Sequence, residues 1–295
     1  MTIAAPGDVR ALLRGAIDYA GLFPPAALPM TEALADYARY RRSDDAWALG
    51  RFVVPAGRLG EALAGLPALG EAGRGWAFSV TLAADLSDGP QLAPAAPALS
   101  AAGAEIASLE GRAPTPDVVV RLAEAAAGRT WYAEVDLLGD FDPVLDAIRD
   151  RGGRAKVRLG GVTVAAFPSS ARVAAFLAGV ARRKLAFKGT AGLHHPVRGE
   201  YRLTYEDDAP LGVMFGYLNL AVAAVLAAGG APPAEIEAAL LESHPAQLLA
   251  TGGGLAWRAQ PLPTAAVPGL RAWFDGFGSC SFREPIDDLN HLLGS

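Results

Sequence analysis

Lys156 and Arg158 stand two residues apart in RAKVRLG, and Lys188 sits in the apolar run LAFKGT, directly ahead of AGLHHP. A lysine in a run that reads as a buried strand needs a compensating partner or a task, because a bare ammonium is costly to bury. The task that fits is nucleophilic. Neighbouring cations and desolvation lower a lysine's pKa, and the neutral amine then attacks a carbonyl to form a Schiff base. With Lys156 and Arg158 as its cationic neighbours, Lys188 is the first candidate for that role.

Such chemistry also needs carboxylates to move protons and a cation to hold the substrate. Side chains alternate across a strand, so TWYAEVDL presents Tyr132, Glu134 and Asp136 on one face. Glu134 is the candidate proton shuttle for carbinolamine dehydration and enamine formation. Asp136 and Glu110, the latter at the end of AEIASLE, are further carboxylates for the same site. The planar fork of Arg158 suits an anionic group on the substrate. Gly160, Gly161 and Gly189, with Thr190, would let backbone N–H groups approach the same anion. Asp18, in AIDYAGL, lies near the end of the first strand-like run. His194 is a candidate acid or base carried by the loop that follows Lys188. Its neighbour His195 points the other way in extended chain, so the pair does not suit a single ion. No HxH, HExxH or CxxC spacing calls for a metal, and no phosphate-binding glycine motif follows the first run, so no cofactor is expected. Cys280, the sole cysteine, has no base close to it in sequence and reads as a buried, inert thiol.

The elements that must position these residues alternate between short β-rich runs and longer helical patterns, the form of repeated βα units around a parallel sheet. Strands are expected at 16–22, 51–56, 76–82, 104–110, 130–137, 154–160 and 185–190. Thr31, Thr115, Asp142 and Ser169 or Ser170 are placed to cap the helices between them, and Gly152 to end one. After Lys188 the rhythm breaks into a long polar loop, 191–211, read as an active-site loop ahead of an apolar helix. An eighth strand lies at 254–260 or at 276–282. The reading is a (β/α)₈ barrel with residues 1–295 as one catalytic domain, a fold whose active sites lie at the C-terminal ends of the strands.

Composition narrows the partners. The net charge of −5 comes from interspersed charges without basic runs, which argues against a nucleic-acid binder and for a small molecule or another protein as partner. The N-terminal residues show no basic segment followed by an apolar one, and a single cysteine suits a reducing compartment, so the expected location is cytoplasmic. The apolar stretch 212–230 contains Asn219 and small residues and reads as a buried helix, with no membrane association expected. It would equally serve as an interface, which leaves a homo-oligomer open. Residues 83–103 are rich in alanine and proline and read as loosely structured.

AIDYAGLFPPAALPM, followed by a helix and then RFVVPAGRLGEALAGL, is similar to the opening of the class I aldolase barrels of the deoxyribose-phosphate aldolase type. FKGTAG resembles that family's strand around its Schiff-base lysine, Val-Lys-Thr-Ser-Thr-Gly. The resemblance covers about the first two thirds of the chain, ending at residue 193. By the motif, Lys188 is the Schiff-base residue. By strand count it is Lys156, because the family carries that lysine on its sixth strand and an assisting lysine on its seventh. The resemblance implies a lyase acting on a small anionic carbonyl compound, with Lys188 as nucleophile, Lys156 as its neighbour or substitute, Glu134 as shuttle and Arg158 as clamp. Two other readings stand beside it. One is a metal-dependent hydrolase or isomerase with an ion on Glu110, Glu134, Asp136 and His194; the other is a non-catalytic binding protein whose charges are structural.

Overall fold

The computed structural model describes residues 8–89 and 92–294. The expectations for residues 1–7, and for 90–91 within the Ala/Pro-rich stretch, lie outside the described residues. All seven strand-like runs are strands: β1 (Ile17–Tyr19), β2 (Leu49–Pro55), β3 (Trp76–Thr81), β4 (Ala104–Arg112), β5 (Thr130–Glu134), β6 (Arg154–Arg158) and β7 (Phe187–Thr190). Two short hairpins follow, β8 (Gly199–Arg202) with β9 (Leu211–Met214) and β10 (Ala256–Trp257) with β11 (Gln260–Pro261). Finally β12 (Phe274–Ser279) inserts between β7 and β1 and closes an eight-stranded, all-parallel barrel. The fold is the expected (β/α)₈ barrel.

Of the two candidates for the closing strand, the run 276–282 overlaps β12, whereas 254–260 contributes only to the small β10/β11 hairpin. The reason is local. Gly276 has φ +133°, and a Cβ there would lie 2.1 Å from the Ala16 carbonyl oxygen, so β12 approaches the start of β1 more closely than any side chain allows.

Twelve helices are described: α1 (Val9–Leu13), α2 (Met30–Tyr40), α3 (Leu59–Gly65), α4 (Leu92–Ala101), α5 (Pro116–Ala126), α6 (Asp142–Asp150), α7 (Ser170–Arg183), α8 (Tyr217–Ala228), α9 (Pro233–Leu241), α10 (Pro245–Leu248), α11 (Ala266–Arg271) and α12 (Arg283–Leu293). In α7, Ser169 caps by accepting the Arg172 N–H at 3.4 Å, and Val173, Phe176, Leu177 and Val180 recur at helical spacing to form the buried face. Thr115 holds the N-cap position of α5, and Gly152 follows α6 with φ +69°. Two capping expectations move by a residue or two: α2 starts at Met30 behind the extended Pro29, leaving Thr31 inside its first turn, and Asp142 is the first residue of α6. The stretch 83–103 is not all loose, since it contains α4.

The apolar stretch at 212–230 divides into the end of β9 and α8, which is apolar on every side because it lies between α7, α9 and the barrel wall. At 12 residues α8 is too short to span a bilayer. Among the described residues one segment, Val164–Arg183, is long and apolar enough to do so. It comprises a 3₁₀ turn and α7, whose apolar face is buried in the fold and whose Arg182 and Arg183 pair with Asp142 of α6. The loop 191–211 is not structureless. From Gly199 onward it belongs to the β8/β9 hairpin, which runs on to Met214 and in which Glu200 pairs with Val213 and Tyr201 with Gly212.

Candidate active site

Strand register sets the site. Glu134 of β5 lies opposite Lys156 of β6, and Lys156 lies opposite Lys188 of β7, so the two lysines enter the barrel at one level. Glu110 of β4 reaches between them. Its Oε1 accepts from Lys188 Nζ at 2.7 Å, and its Oε2 pairs with Lys156 Nζ at the same distance. Lys188 also donates to Asp18 Oδ2 at 2.5 Å, and Lys156 lies 3.1 Å from Glu134 Oε2. Glu134 in turn accepts two bonds from Arg158, at 3.0 and 3.3 Å. At the lower end the Arg51 guanidinium stands 4.0 Å from Asp18, while the Arg51 backbone N–H donates to Asp18 at 2.6 Å. The result is one ladder of alternating charge: Arg51, Asp18, Lys188, Glu110, Lys156, Glu134, Arg158.

Four cations face three carboxylates in this ladder, and it runs from a dry interior to solvent. The Lys188 side chain is 2% exposed and that of Arg158 52%. Burial alone would raise the Glu110 pKa, but Lys156 and Lys188 outweigh it and hold the carboxyl well below its usual range. Burial would likewise lower Lys188, and the carboxylates of Asp18 and Glu110 reverse that, raising it above an ordinary lysine. This corrects the expectation of a lysine neutralised by neighbouring cations: the structure interposes Glu110 between the two ammoniums. Glu134, despite its burial, is also held low, by Lys156 and Arg158.

Beneath the ladder, the Tyr132 ring lies 5.0 Å from Lys188 Nζ. The Tyr132 hydroxyl accepts from Arg51 and donates to Asp275, which pairs with Arg154. Ser79 donates to Glu110 at 2.6 Å and bonds Ser108 at 2.7 Å. Arg51, Ser79, Ser108, Arg154 and Asp275 were not singled out from the sequence. Arg51 and Arg154 could have been, since strand alternation aligns them with Val53 and Lys156 respectively.

A cavity of about 650 Å³ opens above the ladder at the C-terminal mouth of the barrel. Of the sequence candidates, Lys156, Lys188, Glu110, Glu134, Arg158, His194, Gly161 and Thr190 line it. Asp18 does not. It lies below, fixing Lys188 from the closed side of the barrel. Asp136 is not in the ladder either, because β5 ends at Glu134 and the alternation ends with it; Asp136 accepts the Leu138 N–H and pairs with Arg112 at 3.7 Å. Gly160 and Gly189 are absent from the lining for steric reasons. A Cβ at Gly160 would meet Phe167 at 2.5 Å and one at Gly189 would meet Leu193 at 2.6 Å, so both glycines serve close packing.

The two histidines reach one helix. His194 Nδ1 lies 2.7 Å from Glu284 and His195 Nδ1 2.6 Å from Asp288, one turn further along α12. The His195 ring stacks on Tyr201, and His194 turns its Nε2 toward Cys280 Sγ at 3.9 Å. Burial would lower the His194 pKa, yet its bonds to Cys280 and Glu284 lift it to about 10. Cys280, which has no base close to it in sequence, therefore meets an imidazole in space, on a residue 86 positions away.

The four residues named for a metal, Glu110, Glu134, Asp136 and His194, are not brought to one point. The first two are joined through Lys156, the third pairs with Arg112 and the fourth with Glu284. Among the described residues no three His, Cys, Asp or Glu side chains are grouped to hold an ion.

In comparison with known proteins, no family model matches this chain, and no curated protein matches it in sequence. The barrel is the fold that the resemblance implies and is compatible with an aldolase-like enzyme.

Proposed function

We propose that this barrel is a carbon–carbon lyase of the aldolase type, acting on a small anionic carbonyl compound through a lysine Schiff base. The observation that carries the reading is the placement of Lys156 Nζ between Glu110 and Glu134 on the floor of the cavity, with Arg158 just above. Buried ion pairs are a poor stability device compared with apolar packing, so a ladder of this length facing a cavity favours chemistry over structure.

Lys156 is the better nucleophile of the two. Both ammoniums lie between two carboxylates, but Lys188 is the more deeply buried and the more tightly held, at 2.5 and 2.7 Å against 2.7 and 3.1 Å, a setting that keeps it charged. Lys156 stands on the sixth strand, as the family count implies, and Lys188 serves as a fixed positive charge beside it. A substrate anion that takes over Arg158 removes one of the cations holding Glu134 low, which leaves Glu134 as the carboxylate placed to take the proton that Lys156 gives up. The freed amine adds to the carbonyl carbon, the nitrogen gives up one proton while the oxygen gains two and leaves as water, and, as a base takes the proton of the β-hydroxyl, the electrons of the breaking C–C bond flow into the iminium to give an enamine and an aldehyde. His194, on the cavity wall, is the acid or base for the oxygen of the departing aldehyde.

Borohydride reduction in the presence of keto acids, aldehydes and sugar phosphates, read by intact mass and peptide mapping, tests the reading. A reduced adduct confined to Lys156 in the native protein, absent in Lys156→Ala, is the expected result. An adduct on Lys188 would reverse the two roles. Full turnover of a cleavable substrate by Lys156→Ala and by Lys188→Ala would remove the Schiff base altogether. Arg158→Ala is expected to raise KM by about 10–100-fold with a smaller loss in kcat, since a charge-assisted anion contact contributes about 1.5–3 kcal/mol to binding. Steady-state kinetics on the substrate identified by trapping would check this, and an unchanged KM would place the anion elsewhere.

A further inference from the structure

Cys280 follows the last residue of β12, with its thiol on the wall of the same cavity. Around it stand His194, with Nε2 3.9 Å from Sγ, and Glu284, which bonds the far side of that imidazole at 2.7 Å. Tyr205 donates to Glu284 at 3.2 Å and lies 3.5 Å from the sulfur. A thiol, an imidazole that takes its proton and a carboxylate that orients the imidazole are the three parts of an activated cysteine nucleophile. Here they are drawn from the loop after β7, the strand end of β12 and the first turn of α12.

We propose that Cys280, His194 and Glu284 form a second nucleophilic site in the cavity, at which the Cys280 thiolate adds reversibly to the carbonyl of an aldehyde. As the step begins, the thiol gives its proton to His194 Nε2, 3.9 Å away. The Sγ–C bond forms, the carbonyl π pair moves to oxygen, and the Nε2 proton passes to that oxygen, leaving a thiohemiacetal and a neutral imidazole still held by Glu284. Reversal returns aldehyde, imidazolium and thiolate, so no oxidant or further reactant is needed. An ester would require in addition a protonated leaving group and a water to finish turnover, whereas the aldehyde addition is complete with the one proton that His194 holds. The raised pKa of His194 agrees with an imidazolium beside the sulfur at neutral pH. Lys156 and Lys188 take no part; His194 is shared with the Schiff-base reading, and the Lys156→Ala variant separates the two.

The test is labelling of the native protein by iodoacetamide at neutral pH, followed by mass spectrometry of the Cys280 peptide. Cys280 is expected to react faster than glutathione under the same conditions, because the thiolate is the reacting form. His194→Gln and Glu284→Gln are each expected to slow labelling, the first by about tenfold or more. Excess propanal is expected to protect Cys280 in the native protein and equally in Lys156→Ala. Labelling slower than that of glutathione, or a rate that neither variant changes, would overturn the nucleophile. Fast labelling without protection by propanal would overturn the aldehyde.

Discussion

Glu110→Gln is expected to destabilise the barrel by about 3–5 kcal/mol, the cost of removing one partner from a buried ion pair. Glutamine fits the space, but two ammoniums that shared a carboxylate then share a neutral amide: Lys188 keeps only Asp18, Lys156 keeps only Glu134, and the ladder carries one more unmatched positive charge than before. Urea midpoints would measure the loss. Adding Lys188→Met to the same chain removes the surplus ammonium, and the double variant is expected to regain about half of that loss or more, since coupled neighbours depart from additivity by up to about 3 kcal/mol. Simple additivity of the two substitutions would mean that the ladder is not coupled. The same carboxylate predicts acid sensitivity. A folded-state pKa below the unfolded value of 4.5 contributes stability in full above that pH and loses it as pH falls toward the folded value. The native protein therefore loses more stability than Glu110→Gln between neutral pH and strong acid.

Stability is also expected to fall at alkaline pH, through His194. Its pKa rises from 6.5 in the unfolded chain to about 10 in the fold; burial opposes the rise, and the bonds to Cys280 and Glu284 more than reverse it. A raised folded-state value contributes stability in full below pH 6.5 and loses it as pH climbs to about 10. At 1.36 kcal/mol per unit the full effect is on the order of 5 kcal/mol. Urea midpoints of the native protein and of His194→Gln across that range would check it. The native curve should descend while that of the variant stays nearly flat; parallel curves would show that the imidazole is not held as a cation. Lys188, also raised, contributes its loss only above 10.5, outside that window.

The barrel strands were legible because their outward residues, such as Phe52 and Val54, or Phe78 and Val80, are packed under helices and leave continuous apolar runs. Strand alternation likewise revealed Lys156, Arg158 and Glu134 as neighbours, since it needs only local geometry. It failed where the strand stopped, at Asp136, and where the chain carries glycine, at Gly276 and Gly278 of β12. What no local pattern contains is the pairing across the barrel. Glu110 and Lys188 are 78 residues apart, and His194 and Glu284 are 90 apart. Sequence showed which charges turn inward without showing that carboxylates separate the cations, and that difference is what keeps Lys188 an ammonium.

The β8/β9 hairpin bonds only to itself in the sheet arrangement, yet it sends Leu203 and Met214 to the cavity and Tyr205 to Cys280 on its wall. Every backbone bond that closes the barrel lies elsewhere. Inheritance can thus treat the two parts differently: mutations in the ladder strike folding and chemistry together, whereas the hairpin can lengthen, shorten or change its side chains while the barrel continues to fold. Divergence among descendants of this chain should concentrate there, altering which molecules are admitted before it alters what is done to them.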